Sequence, residues 1–161
     1  MTRSEFLRGI IIAMVMLAIL AIPFSLSVSG QGTVTTRTVQ LQTLSSYPID
    51  GVKSGHCYHF EVAMGAAVPG DVLGGSVSST GGSVTFAILN FDEGQQFIAL
   101  TGTATCSWLD SHSRYFKEGQ SFQFQWTVSS SSKPSDAYYV VLVNKNSAQI
   151  EVTMSSYRIT T

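Results

Sequence analysis

Two cysteines, three histidines and a few acids are the residues here whose chemistry goes beyond packing. Cys57 stands in the run His56-Cys57-Tyr58-His59, and Cys106 is followed by Asp110 and His112. Thiolate and imidazole suit copper or zinc, and Cys57 with His59 would share one face of a strand at i, i+2. A metal site built from His56, His59, Asp110 and His112 beside the cysteines is one reading. Against it, the chain has no C-x-x-C and no H-x-x-x-H spacing. The other reading is a Cys57–Cys106 disulfide, the default for two cysteines in an exported chain. Closing a loop of about 50 residues stabilises a fold by roughly 4 kcal/mol in the chain-entropy account. The disulfide with incidental histidines is taken forward, and no cofactor is implied.

Other chemistry finds little support. No G-x-S-x-G elbow is present. Asn90, Asp92 and Glu93 lack the alternating oxygen spacing of a calcium loop and read as a solvated turn. The glycines from Gly65 to Gly82 are followed by no lysine and no helix start, so they read as turns and bulges rather than a phosphate cradle. Glu61 falls on the same strand face as His59, which makes a surface ion pair. The expectation is a protein that is not an enzyme and that works by binding. Trp108, Tyr115 and Phe116 lie in the irregular stretch Ser107 to Gly119. They either touch a partner or cap one end of the fold.

The elements that must position these residues are strands. His56 to Met64 places Tyr58, Phe60, Val62 and Met64 on one face and Cys57, His59, Glu61 and Ala63 on the other. Val72 to Ser79 and Ser83 to Asn90 are further strands. Asp92-Glu93-Gly94 then turns the chain, and Gln96 to Cys106 returns as two short strand pieces around Gly102. Gln120 to Val128 alternates cleanly, with Phe122, Phe124 and Trp126 inward. Ala137 to Val143 is a continuous apolar run, as expected of a strand buried on both faces. A polar turn at Asn144 to Ser147 leads to the alternating Ile150, Val152 and Met154, and the two runs read as a hairpin. Thr33 to Leu44 is a first strand, and Ser45 to Gly55 a turn region. Seven to eight short strands with turn signals between them predict an all-β antiparallel sandwich.

The chain has 161 residues, 9 Lys and Arg against 10 Asp and Glu, and only 12% charged residues. No basic face is implied, so nucleic acid is not an expected partner. Residues 1–29 form a membrane anchor or signal segment. Arg3 and Arg8 precede an apolar stretch from Ile10 to Ile22, and Pro23 follows. Two readings stand. One is a cleaved signal peptide with small residues at Ser25, Ser27 and Ser29. The other is a retained anchor, since Ile10 to Val28 would span roughly 28 Å as a helix. Arg8-Gly9 before the apolar run also admits a prepilin-type cut. All three place the later chain outside the cytoplasm. Residues 30–54 read as linker and first strand, and 55–161 as the sandwich domain.

The order of the runs HCYHFEV, DVLGGSVSS, SVTFAILN, SFQFQWTV and AYYVVLVNKNSAQIEVTM resembles the GOLD (emp24/gp25L-like) β-sandwich family, including its prokaryotic extracytoplasmic relatives. The likeness covers about residues 55–156, with Tyr138, Tyr139 and Asn144 as its most specific points. Ala137 stands where the family has glycine before the aromatic pair. The coiled coil and C-terminal span of the eukaryotic cargo receptors have no counterpart. The resemblance implies a sandwich and a binding role, not cargo transport. The expected function is an accessory or structural binding subunit of a membrane or envelope assembly, with protein partners. The alternatives are an extracytoplasmic metal-binding or redox domain, and a surface-filament subunit.

Overall fold

The computed structural model describes residues 36–129 and 136–160. Within them eight strands form two antiparallel four-stranded sheets. Sheet one runs β1 (Arg37–Ile49), β8 (Ile150–Thr160), β3 (Val72–Thr80), β6 (Ser121–Thr127) in spatial order. Sheet two runs β2 (Tyr58–Ala67), β7 (Asp136–Asn144), β4 (Val84–Asn90), β5 (Tyr115–Gly119). The inward positions of both sheets make the main core. Leu73, Val77, Phe86, Ile88, Phe124, Val140, Leu142, Val152 and Met154 are all buried there, with Phe122 and Trp126 packed at its margin. Phe86 is its aromatic centre, with ring centroids 4.4 Å from Phe124, 5.8 Å from Phe122 and 6.0 Å from Tyr115.

The two sheets differ on their outer sides. The outer side of sheet one is largely polar, because β6 alternates and the outward positions of β3 after Val72 are glycine, serine and threonine. The outer side of sheet two carries Ala87, Leu89, Val141 and Val143, which form a second buried cluster with Phe97 and Leu109. Three short helices supply that cover: α1 (Phe91–Ile98), α2 (Ala104–Ser107) and α3 (Leu109–His112). Covered on both faces, β4 and β7 read as continuous apolar runs, and Val84 to Leu89 is buried throughout.

Four sequence expectations are corrected. The runs at Ala137 and Ile150 are strands but not a hairpin: β7 pairs with β2 and β4, β8 pairs with β1 and β3, and the connection crosses between sheets. The stretch from Asp92 is a helix rather than a turn. The Asn90 side chain accepts from Glu93 N at 2.9 Å and the Glu93 carboxylate accepts from Asn90 N at 3.0 Å, a reciprocal cap that starts α1. Gln96 to Cys106 is accordingly helical in part and contributes no strand. Finally, β1 runs through Pro48 instead of ending at Leu44. Register shifts at Gln40/Thr43 and Leu44/Tyr47 break its alternation, and Pro48 is tolerated because β1 is an edge strand. Residues 1–29, read as anchor or signal, lie outside the described residues. Among the described residues no helix is long and apolar enough to cross a membrane.

Candidate functional site

The helical layer on sheet two gathers the two cysteines, Trp108, His112 and the Glu93–Arg114 pair. Its anchor is the disulfide: Cys57 and Cys106 are bonded, with Cα atoms 5.2 Å apart. A second tie lies beside it, where Cys57 N donates to Thr105 Oγ1 at 3.0 Å and Thr105 Oγ1 donates to Gly102 O at 2.7 Å. Helices of four residues do not stand alone in water. These bonds, with buried Leu109 and Phe97, hold α2 and α3 against the sheet.

On this base Trp108 and His112 stack with ring centroids 4.3 Å apart and planes 6° from parallel. His112 Nδ1 lies 2.8 Å from Trp108 O and 2.9 Å from Ser111 Oγ. Across from them Arg114 Nε meets Glu93 Oε1 at 2.8 Å. Between the stack and the ion pair is an open cleft of about 430 Å³, lined by Glu93, Gln96, Trp108, Ser111, His112 and Arg114. The opposite flank of α1 is apolar. Phe91 and Ile98, two turns apart, are 45% and 51% exposed. Phe116, on the same side of sheet two, is 38% exposed and carries Lys145 Nζ 5.5 Å above its ring.

The residues read from sequence as metal ligands are spread over this layer. His56 sits edge-on to Tyr58 at 5.3 Å, His59 packs edge-on against Phe97 at 4.8 Å, and Asp110 pairs with Lys145 at 3.2 Å. Among the described residues no group of three or more His, Cys, Asp or Glu is placed to hold a metal ion. Of the three aromatics, Trp108 packs on the second cluster and Tyr115 on the main core, and Phe116 is the exposed one. Phe91, Ile98, Glu93 and Arg114 escaped the sequence reading as a surface. The signal that could have found them is the pair Asn90…Glu93, a capping box that opens a helix with Phe91 and Ile98 on one stripe.

No protein-family model matches the chain. No curated protein matches it either. Among the solved structures similar to the chain is one described in the words "Bacillus endospore appendages form a novel family of disulfide-linked pili". It is 16% identical, the match covers 83% of this chain and 97% of that one, and the TM-score is 0.33. A likeness of that size carries nothing about this chain's fold or function.

His59 and Glu61 give the layer a pH response. Their Nε2 and Oε1 are 3.3 Å apart, with side chains 25% and 23% exposed. An ion pair alone would hold His59 charged and Glu61 ionised. Burial acts the other way on both, pushing the imidazole below its usual range, with nearby His56 adding to the effect, and the carboxyl above its own. Burial prevails at both groups, disfavouring the charged form of each despite the contact. The lowered His59 value means that the unfolded chain binds its proton first. His59 therefore contributes stability fully present above the imidazole model value of 6.5 and lost as pH falls through the folded value. The raised Glu61 value acts oppositely: its contribution is full below the model value of 4.5 and is lost as pH rises through the folded one. Lowering the pH from 7 into the range just below 6.5 should lower the thermal midpoint, and His59→Gln should flatten that slope. An equal slope in the variant would remove His59 as its source.

Proposed function

We propose that this chain is an extracytoplasmic accessory subunit of a membrane or envelope assembly, and that its helical layer docks on a protein partner. The observation that carries the reading is the position of Phe91, Ile98 and Phe116. These exposed large apolar side chains lie on the outer face of sheet two, the face to which the disulfide ties α2. Preorganised apolar anchors on a fixed surface favour protein docking. The disulfide suits an oxidising compartment. The GOLD-like order of residues 55–156 implies the same class of role.

The test is extraction from native membranes in mild detergent, sizing without dissociation, and mass spectrometry of the co-migrating chains. The wild type should travel in a larger assembly. Phe91→Asp/Ile98→Asp should run at about the chain's own mass of 17.3 kDa while keeping its disulfide and wild-type unfolding midpoint. A wild type that runs alone would end the reading, and recovery of a homopolymer would replace it with the filament subunit.

A further inference from the structure

The outer side of sheet one has a different character, and nothing above uses it. Its outward positions on β3, β6 and β8 are Val72, Gly74, Ser76, Ser78 and Thr80; Ser121, Gln123, Gln125 and Thr127; and, after Glu151, Thr153, Ser155, Tyr157 and Ile159. Glu151 apart, none of these carries a charge. Of the charged groups nearby, Glu151 sits at the far end against Thr80 and accepts a hydrogen bond from Ser46 Oγ, and Lys117 Nζ, reaching over from β5, donates to Gln123 O at 2.9 Å beside the edge of β6.

Across the middle of this face runs a groove of about 310 Å³, lined by Ser76, Gln123, Gln125, Ser155 and Tyr157 over the backbone of Gly75 and Phe124. Its shape follows from a glycine. Gly74 pairs with Gln125 on one side and Tyr157 on the other. A Cβ at Gly74 would lie 2.6 Å from the Tyr157 ring, so the phenol lies across the sheet where any other residue would hold it off. The ring forms one wall. The exposed amides of Gln123 and Gln125, about 7 Å apart along β6, form the other. Ser76 Oγ and Ser155 Oγ, 3.0 Å apart, make a polar floor.

We infer that this groove binds a neutral glycan. A sugar ring offers vicinal hydroxyls that each donate and accept, and a side-chain amide returns both functions. It also offers an apolar C–H face, and an aromatic ring on a rigid sheet gives that face a contact at small entropic cost. The lack of charge in the lining matches an uncharged chain and disfavours nucleic acid, phosphate and acidic polymers, which call for Arg or Lys. The volume is at the lower end for ligand clefts, and the groove lies open at the surface of the sheet rather than enclosed, which suits a polymer. The site is independent of the docking face, which lies on the other sheet.

The experiment is affinity electrophoresis of the full chain in mild detergent, through gels containing a β-glucan, an α-mannan, a chitin oligosaccharide, or an anionic polygalacturonate. At least one neutral probe should retard the wild type. Tyr157→Ala should weaken that retardation about tenfold, and Gln123→Ala/Gln125→Ala should weaken it comparably. Phe91→Asp/Ile98→Asp should leave it unchanged, so a failure of the docking reading and a failure here are separable. If Tyr157→Ala lacks the wild-type unfolding midpoint, the exposed glutamine pair decides. Three results would overturn the inference: no retardation by any neutral probe, equal retardation of the groove variants and wild type, or retardation by polygalacturonate alone.

Discussion

Cys57→Ala/Cys106→Ala should lose about 4 kcal/mol of stability in the chain-entropy account, a fall in thermal midpoint on the order of 15 °C. The cross-link joins positions 49 apart in sequence, and that loop holds β2, β3, β4 and α1, with α2 at its end. The loss should also be uneven. The main core lies between the sheets and does not contain the disulfide. The second cluster does contain it, and α2 and α3 have four residues each. Without the bond, those turns are held by the Thr105 hydrogen bond, buried Leu109, Trp108 against Phe97 and the exposed Asp110–Lys145 pair. Hydrogen exchange should therefore accelerate across 100–113 well before it does in β3 and β6. Denaturant unfolding with and without reductant, followed by exchange mass spectrometry, measures both effects. An unchanged midpoint on reduction would mean that the helical layer holds itself, and the rigid-surface argument for docking would weaken with it.

How far the sequence discloses this structure depends on what sets each element. β2, β3, β4 and β6 are legible because apolar positions alternate or run continuously, a local signal with one cause. The pairing of Cys57 and Cys106 is legible because a chain with two cysteines leaves each a single possible partner. The helical layer is not legible in that way. Phe91 to Ile98 carries Gly94 and follows an apolar strand, so Asp92-Glu93-Gly94 looks like a turn. The Asn90/Glu93 cap, together with Gly94 packing against Tyr139, makes it a helix. Partner choice is less legible still. Asn144 to Ser147 has the composition of a tight hairpin turn, and the hydrophobic pattern on each side is the same whether the strands pair with each other or enter different sheets.

The candidate surfaces divide along the same line. Cys57, Trp108 and His112 stand out by type, and the structure places all three on one layer. The metal quartet stood out by type as well, yet each member has another neighbour: Tyr58 for His56, Phe97 for His59, Lys145 for Asp110, Trp108 for His112. The groove on sheet one has no residue that attracts notice singly. It arises from Gly74 standing between Tyr157 and Gln125, three positions on three strands that only the register brings together.

Asn144→Ala should be the most damaging single polar substitution outside the disulfide, costing about 3 to 5 kcal/mol. The side chain is fully buried at the corner where the chain leaves sheet two for sheet one. Its Nδ2 lies within bonding distance of three carbonyls, Ile49 O at 3.0 Å, Asp50 O at 3.0 Å and Ala148 O at 2.8 Å, so that one of its two hydrogens is shared, and its Oδ1 accepts from Asn146 N at 2.8 Å. One amide thus satisfies carbonyls from the end of β1 and from the crossing itself. The segments it joins touch closely: Val52 N donates to Asn146 O at 2.8 Å, and no Cβ fits at Gly51 against the Ser147 and Ala148 backbone. Truncation leaves those carbonyls buried without a donor, and each such group costs roughly 1 to 3 kcal/mol. Asn144→Asp separates hydrogen bonding from packing, since it keeps the shape and the acceptor but turns an oxygen toward three carbonyls. At pH 7 it should be at least as destabilising as the alanine. Protonation restores one donor, so the folded state should raise that carboxyl's pKa and the variant should regain stability as the pH falls toward 5. Unfolding midpoints of both variants at the two pH values decide the matter. An Asn144→Ala within about 1 kcal/mol of wild type, on the scale of one ordinary hydrogen bond, would show that the crossing is held by the strands on either side and not by this amide.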